Sequence, residues 1–313
     1  MSTPVDTSAE PFIHPALFYR GADEYLAGTV PFIRSGLAAG EPVAVAVPGP
    51  NLALLRAELG ADAEHVRLLD MTAAGRNPGR IIPGVLRAFA DTHAEQAVRI
   101  IGEPIWPTRT DDEYPACVQH EALINHAFTG RHVTILCPYD TQNLAPAVLA
   151  DAEATHPLLI DGTGRRTSTA YDPERIIAGY NRPLPEPADA VELVVDATNL
   201  AQARLLASTH AVRAGLTDDR TADVELVVTE LVTNSIDHGG GTGRLRIWIA
   251  DGHLVYEVHD QGTMTDPLAG RHPVSPGQHR QRGLLLVNHM SDLVRLHTGT
   301  GSTTTRVHFQ LFG

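Results

Sequence analysis

The segment Asn181-Arg-Pro-Leu-Pro-Glu-Pro-Ala-Asp189 constrains the fold of this chain more than any other. Its prolines, Pro183, Pro185 and Pro187, fall at alternate positions. Each removes a backbone donor and fixes φ, so neither a helix nor an inner strand can run through them. A chain of 313 residues is long enough for two domains with separate cores. We therefore expect one domain over residues 1–180, a linker over 181–190 and a second domain over 191–313.

Before the linker, strand and helix signals alternate. Pro42–Val47, Val66–Leu69, Val98–Ile101 and Val133–Cys137 are short, nearly continuous apolar runs. Helical patterns cover Asn51–Gly60, Gly79–Glu95 and Tyr114–Phe128. Apolar strands separated by amphipathic helices imply an α/β sandwich built on a parallel sheet with both faces covered. Ligands of such sheets collect at the carboxyl ends of strands. Those ends hold Asp70, Gly102-Glu103-Pro104 and Cys137-Pro-Tyr-Asp140. No Gly-x-x-x-x-Gly-Lys-Ser/Thr loop is present, so the expected layout is RecA-like without the phosphate loop.

Composition narrows the class. The net charge of −13 argues against direct binding to nucleic acid or an anionic membrane. The two cysteines, Cys117 and Cys137, form no CxxC pair, and the 16 histidines are scattered. His14, His65, His93, His120, His126, His132 and His156 show no metal-ligand spacing, so spacing indicates neither a disulfide scaffold nor a zinc site. The start, Met-Ser-Thr-Pro-Val-Asp, lacks the pattern of a signal peptide, and no apolar run reaches membrane-spanning length. A reduced, cytoplasmic setting is the expectation.

After the linker, Val191–Val195 reads as a strand. Asn199–Ala214 reads as a helix with Ala201, Leu205 and Leu206 inward, and Thr217-Asp-Asp219 caps a longer helix. Strands are expected at Arg244–Ala250 and Leu254–Asp260, a helix at Gly283–His289, and strands near Leu293–His297 and Thr305–Leu311. On the longer helix Glu230 and Asn234 are spaced to share one face, which His238 continues a turn later. Val224, Val228, Leu231 and Ser235 form a separate, mostly apolar stripe. The polar face points to chemistry. Asn offers a neutral oxygen to a hard cation such as Mg²⁺. Glu can orient or deprotonate a nucleophile beside that ion. Asp260, at a strand end, can accept a hydrogen bond from an exocyclic amine such as that of adenine. Gly262 permits close backbone approach to a base. The stretch from Gln261 to Arg282, with three prolines and little periodicity, is too long for an idle connection.

The ordered boxes Glu230-x-x-x-Asn234-x-x-x-His238, Asp260-x-Gly262 and Arg282-Gly283-Leu284 resemble the GHKL ATPase superfamily with its Bergerat fold. Within it, residues 190–313 are similar to the anti-sigma-factor serine kinases of the RsbW and SpoIIAB type. The resemblance implies an α/β sandwich that binds ATP and Mg²⁺. Glu230 would be the catalytic base, Asn234 the Mg²⁺ ligand, and Asp260 with Gly262 the adenine site. Gly283 and Leu284 would open the helix that receives phosphate at its N-terminus. Thr305 would help hold adenine, although the run Thr303-Thr304-Thr305 leaves its register open. The long loop would be the nucleotide lid. Gln281 stands where the family has glycine, which bears on nucleotide affinity and lid geometry. Arg280 and Arg282 fit either phosphate pairing or a solvated loop. His238 fits either a nucleotide contact or a C-terminal histidine favoured by the helix dipole.

Residues 12–180 resemble the MEDS sensory domain. The matching pieces are His14-x-x-x-Phe18-Tyr19, Phe32-Ile33 with Gly36-Leu37 and Gly40-Glu41, Arg99-Ile-Ile-Gly102-Glu103, and Cys137-Pro-Tyr-Asp140. That resemblance implies a small-molecule or partner-sensing module. His14, Tyr19, Glu103, Cys137 and Asp140 are its candidate pocket residues, with strand-end packing and capping as the alternative reading.

Together these readings imply a regulator in which a sensory domain controls an anti-sigma domain with serine kinase activity. Its partners would be a sigma factor and an anti-anti-sigma protein of STAS type, and a homodimer is expected. Two alternatives stand beside it. One is an ATP-binding interaction module without catalysis. The other is an atypical sensor histidine kinase, for which His210 lacks the usual following Glu/Asp-Arg-x-Pro pattern. An enzyme in the first domain has no paired catalytic residues to support it.

Overall fold

A computed structural model of the chain describes residues 12–272 and 282–311. They divide into two compact units. One runs to Gly75 and resumes over Val85–Ile176; the other joins Arg76–Gly84 to the chain from Ile177 onward. Arg280, Gln281 and the first residues of the chain lie outside the described residues.

The first unit begins with β1 (Phe12–Ile13), β2 (Pro15–Tyr19), α1 (Gly21–Ala38), β3 (Val43–Val47), α2 (Gly49–Leu59), β4 (Val66–Asp70) and α3 (Met71–Ala74). It continues with α4 (Ala88–Thr92), β5 (Val98–Gly102), α5 (Tyr114–Ala127), β6 (Val133–Asp140), α6 (Pro146–Thr155), β7 (Leu158–Asp161) and β8 (Gly164–Thr167). Within α7 (Pro173–Tyr180) the first unit ends and the second begins. The sheet order is β4-β3-β5-β6-β2-β7-β8, with β1 beside β6. The β7–β8 hairpin is antiparallel and the other pairs are parallel. All five residues of β3 are buried, as a parallel strand covered on both sides requires.

Several pieces of the sensory-domain resemblance turn out to be framework. Arg99 pairs with Glu41, donates to the Phe32 carbonyl at 3.1 Å and lies over the Phe32 ring. A side-chain carbon on Gly36 would sit 2.8 Å from Arg99 Cδ and 3.0 Å from Val43 Cγ2, so α1 reaches β3 and β5 only through a glycine.

The helix expected over 79–95 is present but irregular, and it ends at Thr92. The chain there makes a tight turn at Pro78–Arg80 and a wide π-type turn over Ile82–Arg87, and only Ala88–Thr92 is regular. Pro83 carries no N–H and interrupts the ladder that a regular helix needs.

The second unit comprises β9 (Val191–Asp196), α8 (Leu200–Arg213), α9 (Asp218–His238), β10 (Thr242–Ala250), β11 (His253–Asp260), α10 (Gly283–Met290), β12 (Leu293–Gly299) and β13 (Ser302–Gln310). Its antiparallel sheet runs β12-β13-β11-β10-β9. One face is packed by α8 and α9 through a core that includes Val195, Val224, Val228, Leu231, Tyr256 and Phe309. Thr217 caps α9, as expected, by accepting from Arg220 N–H at 3.3 Å. The buried stripe of α8 is Ala203, Ala207 and Ala211, not Ala201 and Leu205. Leu205 is 68% exposed. Small residues let α8 come close enough for the Tyr256 hydroxyl to donate to the Ala207 carbonyl at 2.9 Å.

The opposite sheet face carries a charge network. Glu257 accepts from Arg306 at 2.6 and 2.9 Å and from Arg246 at 3.4 Å. Arg306 also lies over the Trp248 ring and donates to the Pro185 carbonyl at 2.6 Å. Asn181 exchanges two hydrogen bonds with Thr298, at 2.7 and 3.0 Å. The proline-rich segment is therefore pinned to this unit at both ends. No helix among the described residues is long and apolar enough to cross a membrane.

Glu257 is 2% exposed, and its removal takes the buried carboxylate from Arg306, while Arg246 keeps Glu192 at 2.8 Å and Glu186 at 3.5 Å. Glu257→Ala should destabilise the second unit by about 3 kcal/mol. Urea denaturation followed by Trp248 fluorescence reads this out, and an unchanged midpoint would show that the network contributes nothing net.

Candidate functional site

Strand alternation carries Leu254, Tyr256 and Val258 into the core and brings Asp260 out at the end of the same face. Pairing with β13 sets Val258 opposite Thr305, His259 opposite Thr304 and Asp260 opposite Thr303. Parity thereby puts Thr303 and Thr305 on one face and Thr304 on the other. Thr303 and Thr305 line a cavity beside Asp260, whereas Thr304 turns away and meets His259 Nδ1 at 2.9 Å.

The last turn of α9 closes on this edge. Ser235 Oγ donates to Asp260 Oδ2 at 2.6 Å, and the Gly262 N–H donates to Oδ1 at 2.8 Å. Thr303 Oγ1 donates to the Gly262 carbonyl at 3.0 Å, and the Gln261 N–H to the Gly239 carbonyl at 3.1 Å. A side-chain carbon on Gly239 would lie 2.6 Å from Asp260 Cβ, and one on Gly262 would lie 2.8 Å from the His238 carbonyl oxygen. Helix end and strand end meet because both residues are glycine. Ser235 was legible only as part of an apolar stripe. A hydroxyl on such a stripe is the signal that could have singled it out, since a buried hydroxyl needs a partner.

The cavity has a volume of about 910 Å³, within the range of small-molecule sites. Leu231 and Val258 give it apolar wall, and Asn234, Asp237, His238, Asp260, Thr303 and Thr305 give it polar groups. Thr263, Met264, Thr265, Asp266, Gly270 and His272, from the described part of the long loop, complete the lining with Gly283 and Leu284. Of the residues expected from sequence, Asn234, His238, Asp260, Gly262, Gly283, Leu284 and Thr305 all border this space. Glu230 and Arg282 do not line it. Arg282 stands at the N-cap of α10 and makes no side-chain cap. The Glu230 carboxylate lies against the same helix start: a side-chain carbon on Gly283 would be 2.7 Å from Glu230 Oε2 and 3.6 Å from Asn234 Nδ2.

α10 is held from behind by groups that the sequence did not disclose. Asn77 Nδ2 donates to the Asn288 carbonyl at 2.8 Å, while Asn77 Oδ1 accepts from Gly79 at 3.0 Å and Val294 at 3.4 Å. Asn288 Nδ2 donates to the Gly270 carbonyl at 3.1 Å, which ties the helix to the loop over the cavity. Arg220 donates to the Met290 carbonyl at 2.7 Å.

In the first unit, the five candidate pocket residues fall into two groups. Tyr19, Glu103 and Asp140 sit at the carboxyl ends of β2, β5 and β6. There Asn51 Nδ2 donates to both Glu103 oxygens, at 3.0 and 2.9 Å, and reaches the Tyr19 hydroxyl at 3.4 Å. Asp140 accepts from Gln142 and Asn143 of the following turn, so it also acts as a local cap. Cys137 follows Leu136, which packs with Tyr19, so alternation turns Cys137 to the other sheet face. His14 lies there with it, Nε2 to Sγ 3.4 Å, together with Glu121 and His156. Burial lowers the pKa of His14 to about 4, and the neighbouring His156 adds to that effect, so it is neutral at pH 7. Burial raises the Glu103 carboxyl to about 8.

Residues 13–157 match the MEDS family, the methanogen/methylotroph DcmR sensory domain, and residues 193–309 match the histidine kinase-like ATPase domain. The chain thus carries a MEDS domain followed by a histidine kinase-like ATPase domain. The serine-protein kinase RsbW of Halalkalibacterium halodurans is 28% identical over 135 residues, covering 39% of this chain and 83% of that protein. Among solved structures, the RsbU and RsbW domains of a Mycobacterium tuberculosis protein share 20% identity at a TM-score of 0.30, over 40% of this chain and 33% of that one. The chain thus spans about a third of that protein's length. The Acinetobacter baumannii histidine kinase AdeS shares 11% identity at a TM-score of 0.25, over 40% of this chain and 70% of that one.

Two outcomes follow from this geometry. Ser235→Ala removes the donor that orients Asp260 and should weaken binding of an adenine nucleotide by about tenfold, as loss of a hydrogen bond to a charged group does. Titration calorimetry measures this; unchanged affinity would mean that Asp260 needs no such support. For Glu103, the folded pKa of about 8 exceeds the ordinary 4.5, so the folded chain holds a proton that the unfolded chain releases. Its contribution to stability is full below pH 4.5 and is lost as pH rises through 8. Glu103→Gln should flatten that part of the stability–pH profile obtained by denaturant titration.

Proposed function

We propose that this protein is a signalling regulator whose MEDS domain controls an ATP-dependent serine kinase domain of the anti-sigma type. Its substrate would be a serine on an anti-anti-sigma partner of STAS type, and its other partner a sigma factor. The observation that carries this reading is the convergence of Asp260, Asn234 and the start of α10 on one cavity, with Asp260 locked by Ser235 and Gly262.

The residues fit ATP and Mg²⁺. Each Asp260 oxygen uses one hydrogen bond on the protein, which leaves acceptor capacity for the amine of adenine. Thr303 and Thr305 flank that point. The N-terminal turn of α10 offers backbone N–H groups and the positive end of its dipole to phosphate. Asn234 would hold Mg²⁺ together with phosphate oxygens, and the ion supplies neutralisation of charge on the transferring phosphoryl group. Glu230, one helical turn before Asn234, would accept the proton of the serine hydroxyl.

One observation favours a second reading. Glu230 rests against Gly283 and does not border the cavity. In that arrangement ATP acts as a conformational ligand for partner binding without phosphotransfer. A histidine kinase reading gains no support, because α8, which carries His210, packs its alanine stripe into the core of its own unit. A homodimer is proposed by analogy with domains of this type; the exposed Val194 and Leu205, at 64% and 68%, are available to it.

The test uses Glu230→Gln and Asn234→Ala. Glu230→Gln should lower phosphotransfer to a STAS-type protein by about 10²–10⁴-fold while ATP affinity stays within about threefold. Asn234→Ala should abolish the Mg²⁺-dependent part of ATP binding in calorimetry. ATP binding without any transfer by the wild type, to a partner that it captures, would establish the second reading. No ATP binding by the wild type would overturn both.

A further inference from the structure

His14, Glu121, Cys137 and His156 come from four separate places in the sequence and meet in the core of the first unit. His14 precedes β2, Glu121 lies on α5, Cys137 on β6, and His156 follows α6. All four are at most 1% exposed. One potential ligand atom from each lies within 4.8 Å of all the others. Glu121 Oε2 is 3.4 Å from His14 Nε2 and 3.2 Å from His156 Nε2, and Cys137 Sγ is 3.4 Å from His14 Nε2.

The surrounding hydrogen bonds decide which ring nitrogens face the centre with a lone pair. Asn125 Nδ2 donates to the Thr155 carbonyl at 2.9 Å and the Ala122 carbonyl at 3.1 Å, which turns Oδ1 toward His14 Nδ1 at 3.2 Å. His14 Nδ1 must then carry the proton, and its Nε2 is bare. His156 Nδ1 lies 2.8 Å from the Ala152 carbonyl, which can only accept, so in the neutral ring the lone pair is on Nε2. Both lone pairs point at a carboxylate. Neither Glu121 oxygen nor His156 Nε2 has a hydrogen-bond partner, although all three atoms are fully buried. Metal-free and with both rings neutral, the Cys137 thiol is the one donor that these four side chains turn toward the shared centre, and a buried acceptor without a donor is costly. A cation removes the conflict.

We propose that His14, Glu121, Cys137 and His156 form a four-coordinate site for a divalent transition metal, and that the ion is Zn²⁺. The donor set of two imidazoles, one carboxylate and one thiolate suits zinc, whose bonds to these atoms run about 2.0–2.3 Å. A tetrahedron with such bonds has edges of about 3.3–3.8 Å, close to the three short separations measured here. Glu121 as carboxylate and Cys137 as thiolate balance the ion's two charges. Cys137 surrenders its thiol proton to solvent as the sulfur–metal bond forms. Each histidine holds its second nitrogen on an oxygen acceptor, the arrangement that orients metal-bound imidazole. Four protein ligands leave no open position, so the site fastens β2, β6, α5 and α6 together or reports zinc availability; it does not bind a substrate. It is independent of the nucleotide cavity.

Metal content of the full-length, untagged protein tests the assignment. After incubation with Zn²⁺ and gel filtration, about one zinc per chain is expected by plasma mass spectrometry. Replacement by Co²⁺ should give the intense visible bands of a tetrahedral site and a thiolate-to-cobalt charge-transfer band. Cys137→Ser should remove the charge-transfer band, whereas Cys117→Ser should keep it. Asn125→Ala should weaken zinc binding by about 10–100-fold, the usual cost of losing a group that orients a ligand. Folded wild-type protein that takes up no zinc and shows no cobalt–thiolate band overturns the proposal. Full zinc retention in a folded Cys137→Ser, His156→Gln double variant does so equally, because it would place the metal on surface histidines.

Discussion

The hydroxyl of Ser235 on the carboxylate of Asp260 is the contact on which the cavity of the second unit depends. It joins the last turn of α9, which carries Asn234, to the end of β11, which carries the candidate adenine acceptor. Neither element alone fixes the distance between those groups. The same hydrogen bond aims the carboxylate, because Gly262 takes its second oxygen from the other side. Gly239 and Gly262 make the junction possible by letting backbone approach where any side chain would collide. The strand register then follows from β11, and with it the choice of Thr303 and Thr305 over Thr304.

Much of this architecture was legible in the residues. The valine and isoleucine runs of β3, β5 and β6 have few alternatives to buried parallel strands, and the helix of Glu230 announces two faces by its spacing. What escaped has physical reasons. Pro31 sits inside α1 and hides an 18-residue helix from any reading of periodicity. Pro83 and the departure of the chain into the second unit broke up the helix expected after Gly79. On α8, Ala203, Ala207 and Ala211 rather than Leu205 face inward, with Leu206 packed at the margin of the core, because the centre of the approach to the sheet has room for short side chains. Ser235 looked apolar by position. Glu121 and His156 were invisible as a pair with His14 and Cys137, since spacing rules detect ligands close in sequence and a parallel sheet gathers them from four elements.

The two units handle buried polarity differently. In the second, Glu257 is matched by two arginines, and the network is complete within the protein. In the first, Glu103 is satisfied by Asn51 and shifts its titration, whereas Glu121 faces the ring nitrogens of His14 and His156 at 3.4 and 3.2 Å. The Glu103 group lies at the carboxyl ends of the strands and the Glu121 group on one sheet face. A sensory domain built this way has one group that answers to protons and a separate one whose chemistry calls for a cation.

The nine residues Arg76–Gly84 are surrounded by first-unit sequence yet belong to the second unit. Asn77 binds a carbonyl 211 residues further along the chain. At ordinary translation rates, roughly 10–40 s separate the synthesis of those two residues. During that interval Asn77 has no Asn288 carbonyl to bind. The ATPase unit, in turn, cannot reach its final packing from its own contiguous sequence. The order of synthesis is thereby written into the fold: the sensor comes first, and the ATPase is completed by a piece of chain that has been waiting for it.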